Sequence, residues 1–315
     1  MKKHSAFTMI ELVFVIVVMG IIGKFGVEFL IQAYRSFIFS NVNNHLQEES
    51  AFSVEFLSSR LQYRIKDSVI ARESIGGSYD AIGDVNTSKK YYVLEWIQSN
   101  SEGFRGDTKP YWSGIADLDA GSASKVVSPA SDTAALETQI DTLSYFKSSV
   151  NSAALYFIGS SNDIDAYGWE SNTTHTDQTG VMHPIKRDTT SADAFIPRKG
   201  NGSQDTVNFP STVNIYEYYK LSWTANAVVL ENFSDDTKMG DLYFYYNYQP
   251  WDNINIVNYT MDNDIQKVLL MKNVSTFKFL AVGSILKIQI CTKSTLIKEI
   301  NNEKGYSLCK EKTIF

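Results

Sequence analysis

A carboxylate inside an apolar segment is the first residue of this sequence whose position could serve chemistry. The segment 7–31 holds only three charged residues, Glu11, Lys24 and Glu28. A charged side chain at the centre of a bilayer costs about 2.5–3.5 kcal/mol on insertion scales, so a carboxylate kept there needs a partner of opposite charge. The pattern predicts that Glu11 serves a function.

The two cysteines of the chain, Cys291 and Cys309, are the second candidate. Outside the cytoplasm such a pair forms a disulfide. It would close the loop 292–308 and contribute about 3 kcal/mol on the chain-entropy model. Two buried free thiols are the alternative. Because the sequence has no Cys-x-x-Cys, it does not predict a redox catalyst.

Acidic runs could bind calcium through carboxylate oxygens. Asp163 and Asp165 are the candidates, together with the runs 235–241 and 262–264. None matches the twelve-residue calcium loop with its terminal Glu, so turn and capping roles are the simpler interpretation. We therefore predict no cofactor, with calcium as the alternative.

Elsewhere the sequence gives little indication of a metal site or of a catalytic site. His175, Asp177 and His183 lack the tight spacing and fourth ligand of a metal site, which favours exposed polar residues. The chain has no Gly-x-Ser-x-Gly, no His-Glu-x-x-His and no phosphate loop. We predict that it is not an enzyme, although carboxylates that meet only in the folded chain would escape a sequence search.

The elements that would position Glu11 begin with a short basic stretch, residues 1–6. The apolar segment 7–31 would be ~37 Å long as a helix, enough to cross a ~30 Å hydrocarbon core. Lys2 and Lys3 favour a cytoplasmic N-terminus, which places the rest of the chain on the far side of the membrane. A secretory signal is the alternative, but Glu11 and the absence of a small-x-small cleavage site speak against it.

A helix extension is predicted over residues 32–75. Apolar residues recur there four apart: Tyr34, Ile38, Val42 and Leu46, then Leu57, Leu61, Ile65 and Val69. The first proline is Pro110, and Gly76-Gly77 is the first strong stop signal.

The remainder, 76–315, is predicted to be a sheet-rich head. Aromatic and β-branched runs predict strands at 91–97, 154–158, 215–219, 227–230, 241–246, 276–279 and 285–290. Residues 135–146 predict an amphipathic helix with Leu136, Ile140, Leu143 and Phe146 on its apolar face, and 161–211 predict a loop-rich insertion. The fold class is α+β, a long N-terminal helix packed on an antiparallel sheet.

Residues 2–12, Lys-Lys-His-Ser-Ala-Phe-Thr-Met-Ile-Glu-Leu, resemble the N-terminal signature of type IV pilins and type II secretion pseudopilins. The resemblance implies a pilin-like fold and cleavage by a prepilin peptidase between Ala6 and Phe7. It also implies methylation of the new N-terminus and a role for Glu11 in assembly. A neighbouring subunit's Glu11 could neutralise the α-amino group of Phe7 in the low dielectric of the membrane. The family usually has Gly where this chain has Ala6.

The family implies a minor structural subunit of a pseudopilus or pilus, at or near the tip. Residues 268–279 are loosely similar to the C-terminal strands of J-type minor pseudopilins. The implied partners are prepilin peptidase, other pilin or pseudopilin subunits and the inner-membrane assembly platform. The implied location is a single pass of the inner membrane with a periplasmic head, then a cell-envelope filament. The alternatives are a ligand-binding tip subunit, either an adhesin or a DNA-uptake pilin, and an anchored enzyme.

Charge is unevenly distributed along the chain. Residues 100–266 hold 10 basic and 22 acidic residues, whereas 267–315 hold nine basic and three acidic ones. The asymmetry could match neighbouring heads in a filament, or bring a basic tail to DNA. Solvated faces of an ordinary sheet explain it more simply, because the nine lysines are scattered and no Arg accompanies them, so nucleic acid is not a predicted partner.

Overall fold

The computed structural model describes residues 8–86, 88–160, 163–169, 181–209, 215–260, 264–294 and 306–315. These residues form three α-helices: α1 (Met9–Gln62), α2 (Ser101–Arg105) and α3 (Thr133–Leu143). They also form fourteen strands: β1 (Ile70–Arg72), β2 (Tyr79–Ala81), β3 (Val93–Gln98), β4 (Asp117–Ser122), β5 (Lys125–Val127), β6 (Ala154–Phe157), β7 (Met182–Arg187), β8 (Ala194–Pro197), β9 (Tyr219–Ser222), β10 (Thr224–Ser234), β11 (Met239–Tyr248), β12 (Gln266–Val282), β13 (Ile285–Lys293) and β14 (Ser307–Ile314). The predicted α+β class is confirmed.

Two compact units divide the chain. The described residues of Met1–Glu49 and Lys293–Leu308 form the first, and those of Ser50–Thr292 and Cys309–Phe315 form the second. Within the first unit the Tyr306 hydroxyl donates to Asn43 Oδ1 at 2.8 Å, and the Tyr306 ring lies 5.3 Å from that of Phe39.

The larger sheet has eight strands in the order β14-β13-β12-β11-β10-β3-β1-β2. The strands β10 to β13 follow one another as an antiparallel meander. Both faces of its centre are buried. Leu94 and Trp96 lie in one apolar cluster with Leu57 of α1, while Val93 and Ile97 lie in another on the opposite face. The side chains of a strand alternate between faces, so β3 has buried apolar residues on both faces and, apart from Glu95 and Gln98, does not alternate between apolar and polar residues.

The smaller sheet has six strands in the order β4-β5-β8-β7-β6-β9 and packs its own apolar cluster with α3. Strands β7 and β8 lie within the predicted loop-rich insertion at 161–211, which therefore contributes two short strands to this sheet among its loops. Residues such as Ile185 and Phe195 are fully buried there, but their strands are short and separated by polar turns, which hides the pattern in the sequence.

Helix α1 ends at Gln62, earlier than the predicted boundary at residue 75. Ile65 and Val69 are buried as their spacing suggested, but a turn and the sheet bury them rather than a helix. The Ile65 N–H donates to the Ile97 carbonyl at 2.9 Å, and β1 then pairs with β3. Backbone pairing with β3 therefore replaces the last predicted turns of the helix.

Six of the predicted strands overlap observed ones: β3, β6, β10, β11, β12 and β13. The predicted strand at 215–219 is wrong, because only Tyr219 belongs to β9 and Tyr218 makes one isolated bridge to Ile115. The predicted helix at 135–146 stops at Leu143, so Leu136 and Ile140 are buried while Phe146 is exposed.

Candidate functional site

The first part of α1 presents an apolar surface that the described chain does not cover. Large side chains along it are exposed, among them Met9, Phe14 and Phe29, whereas Leu57 and Leu61 near the other end of the same helix are 0% exposed. The helix is long and apolar enough to cross a membrane, with a mean hydropathy of 2.3 in its most apolar window. An exposed apolar surface of this extent marks contact with lipid or with other protein chains.

Glu11 lies in the first turn of α1 and bonds with Thr8. The Thr8 backbone N–H and hydroxyl both donate to Glu11 Oε2 at 2.9 Å, and the Glu11 N–H faces Thr8 Oγ1 at 3.4 Å. A Thr before the helix and a Glu three residues later form a capping box, which satisfies N–H groups that have no partner inside the helix. Glu11 therefore has a local role that the sequence analysis did not assign.

The charge of Glu11 is not matched by a cation among the described residues. The other two charges of the apolar segment face each other, because Lys24 Nζ lies 3.9 Å from Glu28 Oε1 one turn along the helix. Glu11 Oε1 makes no hydrogen bond within the described part of the chain. Its carboxylate is thus the group in this segment that a positive charge from elsewhere would neutralise. The predicted cleavage site, Ala6 and Phe7, lies outside the described residues.

The disulfide between Cys291 and Cys309 is present, as predicted, with an S–S distance of 2.07 Å. It joins β13 to β14, the edge strand of the eight-stranded sheet. β14 also ends in the core through Ile314 and holds α1 through Lys312, whose Nζ lies 2.6 Å from Glu55 Oε2. The bond therefore fixes the final strand to the body of the second unit.

The two aspartates proposed as weak calcium ligands accept hydrogen bonds within the chain, Asp163 as a helix cap and Asp165 from a distant tyrosine. Asp163 Oδ1 accepts from the Asp165 N–H at 3.1 Å at the start of a short 3-10 helix, Ile164–Tyr167. Asp165 Oδ1 accepts from the Tyr79 hydroxyl at 2.7 Å. Among the residues that the structure describes, no three His, Cys, Asp or Glu side chains cluster as a metal site would require.

His183 is buried, so its interpretation as an exposed polar residue is wrong. It lies in β7, with ring centroids 5.3 Å from Phe157 and 4.8 Å from Phe209. Burial lowers the pKa of the imidazole from 6.5 to about 3, since the charged form loses its hydration. His175 and Asp177 lie outside the described residues.

A buried ion pair that the sequence analysis missed lines a cavity of about 280 Å³. Glu95, which is 2% exposed, accepts from Arg72 Nε at 2.7 Å and from the Tyr248 hydroxyl at 2.9 Å. Asn253 and Asn255 also line this cavity. The partners come from β1, β3 and β11, far apart in the chain, so no local motif could have revealed them.

Two more buried contacts fix strands and loops. Arg198 binds Asp252 through two bonds, Nη1 to Oδ1 at 2.8 Å and Nη2 to Oδ2 at 2.6 Å. Lys267 Nζ lies 2.7 Å from Glu231 Oε2 and 4.1 Å from the ring centroid of Tyr243. Both arrangements pair opposite charges in buried or half-buried positions of the fold.

Comparison of the chain with protein-family models, with curated proteins and with solved structures finds no match.

Proposed function

We propose that this chain is a minor subunit of a type II secretion pseudopilus or a type IV pilus, placed at or near the tip. One observation carries the proposal: α1 is exposed and apolar over its first turns, while Val54, Leu57 and Leu61 of its last turns are buried against the eight-stranded sheet. A helix of this kind can enter a bundle of apolar helices at one end and hold a folded head at the other. The prepilin-like residues 2–12 lead into it and include its first turn.

In this proposal the α-amino group of Phe7, exposed by prepilin peptidase, meets Glu11 of a neighbouring subunit. Glu11 is suited to that contact because its Oε2 is used by Thr8 whereas Oε1 makes no bond among the described residues. An ion pair gains strength where water is excluded, and a lone carboxylate there would be costly. The pair would therefore set the register of each new subunit against the last one.

Glu11 variants test the proposal, because the capping role and the charge can be separated. Glu11→Gln keeps an oxygen for Thr8, since Gln serves in a capping box as Glu does, but removes the negative charge. Thr8→Ala removes the hydroxyl and keeps the charge. Each full-length variant is expressed in the native cells, and its recovery in sheared filaments or with sibling subunits is compared with its total membrane level.

We expect Glu11→Gln to lower recovery about tenfold or more, the factor that corresponds to about 1.4 kcal/mol, at an unchanged membrane level. Thr8→Ala should assemble nearly as well as the wild type. Normal assembly of Glu11→Gln would contradict the proposal, and loss in Thr8→Ala without loss in Glu11→Gln would assign Glu11 to helix capping alone.

A further inference from the structure

Two adjacent aromatic residues after α3 have a strained backbone and exposed rings. Tyr145 has a φ of 55° and Phe146 a φ of 62°. Bulky residues rarely adopt this left-handed region, because Cβ crowds the backbone. Their side chains are 72% and 82% exposed, so burial of the rings does not compensate for the strain.

Buried hydrogen bonds below the rings hold this turn in place. Ser144 is buried, and its Oγ accepts from the N–H groups of Lys147 at 3.2 Å and Ser148 at 3.0 Å. The Ser148 hydroxyl in turn donates to Asn247 Oδ1 at 2.7 Å. The turn is thus fixed from beneath while it displays two aromatic rings outward. The surrounding structure imposes this backbone strain at a place where it does not stabilise the fold. Such strain points to the binding of a partner.

A groove of about 660 Å³ elsewhere in the same unit has the complementary character. Its lining includes the aromatic side chains of Tyr91, Phe233 and Phe279, together with several lysines. Lys89 pairs with Asp80 and Lys287 with Glu311.

Two further lysines of the groove, Lys90 and Lys278, enter no ion pair with any residue that the structure describes. The groove therefore combines apolar walls with two lysines that form no ion pair among the described residues. An occupant that carries apolar rings beside carboxylates would match both properties.

We propose that Tyr145 and Phe146 of one copy insert into this groove on a second copy of the chain. The charges agree with this occupant, because the turn follows a helix that carries Glu137 and Asp141, and the lysine next to the rings, Lys147, is paired with Asp264 at 3.2 Å. Much of the groove, by contrast, comes from the basic stretch 267–315. Aromatic anchors that fill a pocket are the side chains on which interface affinity usually depends.

The turn and the groove are different surfaces, so the contact is heterologous and leaves one of each free on every pair. Repetition of this contact can therefore join successive copies into an open chain of subunits. This inference does not rest on the proposed function, which does not state how many copies assemble or how their heads meet.

Crosslinking between copies tests the contact. Full-length Phe146→Cys and Leu280→Cys chains are purified separately in detergent, mixed and oxidised mildly. Both native cysteines are already bonded to each other, so the new thiols report only on each other. Phe104→Cys, at an exposed aromatic position in α2, replaces Phe146→Cys in the matched control.

We expect a heterodimeric crosslink with Phe146→Cys at least tenfold more abundant than with Phe104→Cys. Adding Lys90→Glu and Lys278→Glu to the Leu280→Cys chain should abolish the difference, whereas Lys272→Glu, which lies outside the groove, should not. Equal crosslinking of both aromatic positions, or no effect of the groove charges, would overturn the proposal and leave a different occupant for the groove.

A glycine variant distinguishes loss of the contact between copies from a folding defect. Tyr145→Gly/Phe146→Gly removes the rings and relieves the strain, because glycine adopts positive φ without penalty. We expect its melting temperature to equal or exceed that of the wild type while self-association, measured by sedimentation in detergent, weakens at least tenfold. A lower melting temperature would show that the rings serve the fold, and unchanged association would overturn the contact.

Discussion

At the scale of single residues, one side chain can serve both the fold and the function. Glu11 caps its own helix through Oε2, and the same carboxylate carries a negative charge into an apolar segment. Capping alone explains a Glu or a Gln at this position, but it does not explain a charge where charge is costly. The charge is therefore the part of Glu11 that the capping box does not explain.

His183 makes the second unit sensitive to acid. Its pKa is about 3 in the folded chain because the imidazole is buried, and about 6.5 when unfolded. Between these values the unfolded chain binds a proton that the folded chain does not. This residue should therefore lower the free energy of unfolding by about 1.4 kcal/mol for each pH unit below 6.5, and have no effect above it.

Urea unfolding of the wild type and of His183→Gln, at several values between pH 4 and pH 8, measures this effect. Gln is polar but does not titrate, so the variant should lose stability less steeply than the wild type as the pH falls below 6.5. The two curves should run parallel above that value. Parallel curves over the whole range would contradict the burial of a neutral imidazole.

Whether the role of a residue could be predicted from the sequence depends on how close in the chain its interaction partners lie. Glu11 stands out within a few residues of context, and two cysteines in 315 residues leave one pairing. Glu95 and Arg198, by contrast, find their partners across strands. The exposed rings of Tyr145 and Phe146 depend on backbone angles that no residue pattern encodes.

At the scale of elements, long strands and the membrane-length helix were predictable because their signals are strong and continuous. The end of α1 was not, since apolar residues spaced four apart are buried equally well by a helix or by a turn that leads into a strand. Short strands such as β8 were missed for a related reason. Four residues between polar turns do not establish a period.

The disulfide should contribute to stability through β14. On the chain-entropy model a loop of this size is worth about 3 kcal/mol, and the strand that it fixes also carries Ile314 into the core. We expect dithiothreitol to lower the free energy of unfolding by about this amount, as measured by urea denaturation.

The variant Cys291→Ser/Cys309→Ser is the control for that measurement. It should resemble the reduced wild type and should not respond to dithiothreitol. An unchanged midpoint on reduction of the wild type would show that β14 is held by its strand pairing and its contact with Glu55 alone.

At the scale of the whole molecule, the chain combines a helix whose first part is apolar and not covered by any described residue with a head whose described residues form two sheets and three apolar clusters. The head is stabilised within its own chain by buried side chains, ion pairs and a disulfide. The first part of the helix has no such contacts within the described chain. Its apolar surface therefore needs other helices or lipid to cover it. A filament subunit meets that need.

The N-terminus of the mature protein tests this account most directly. Mass spectrometry of the protein extracted from its native membrane should find a chain that lacks residues 1–6 and starts at Phe7 with a methyl group on its α-amine. The α-amino group of Phe7 is the proposed partner of Glu11 in the neighbouring subunit. A chain that keeps Met1, or one that is cut beyond Gly20, would contradict the assignment to the pilin class.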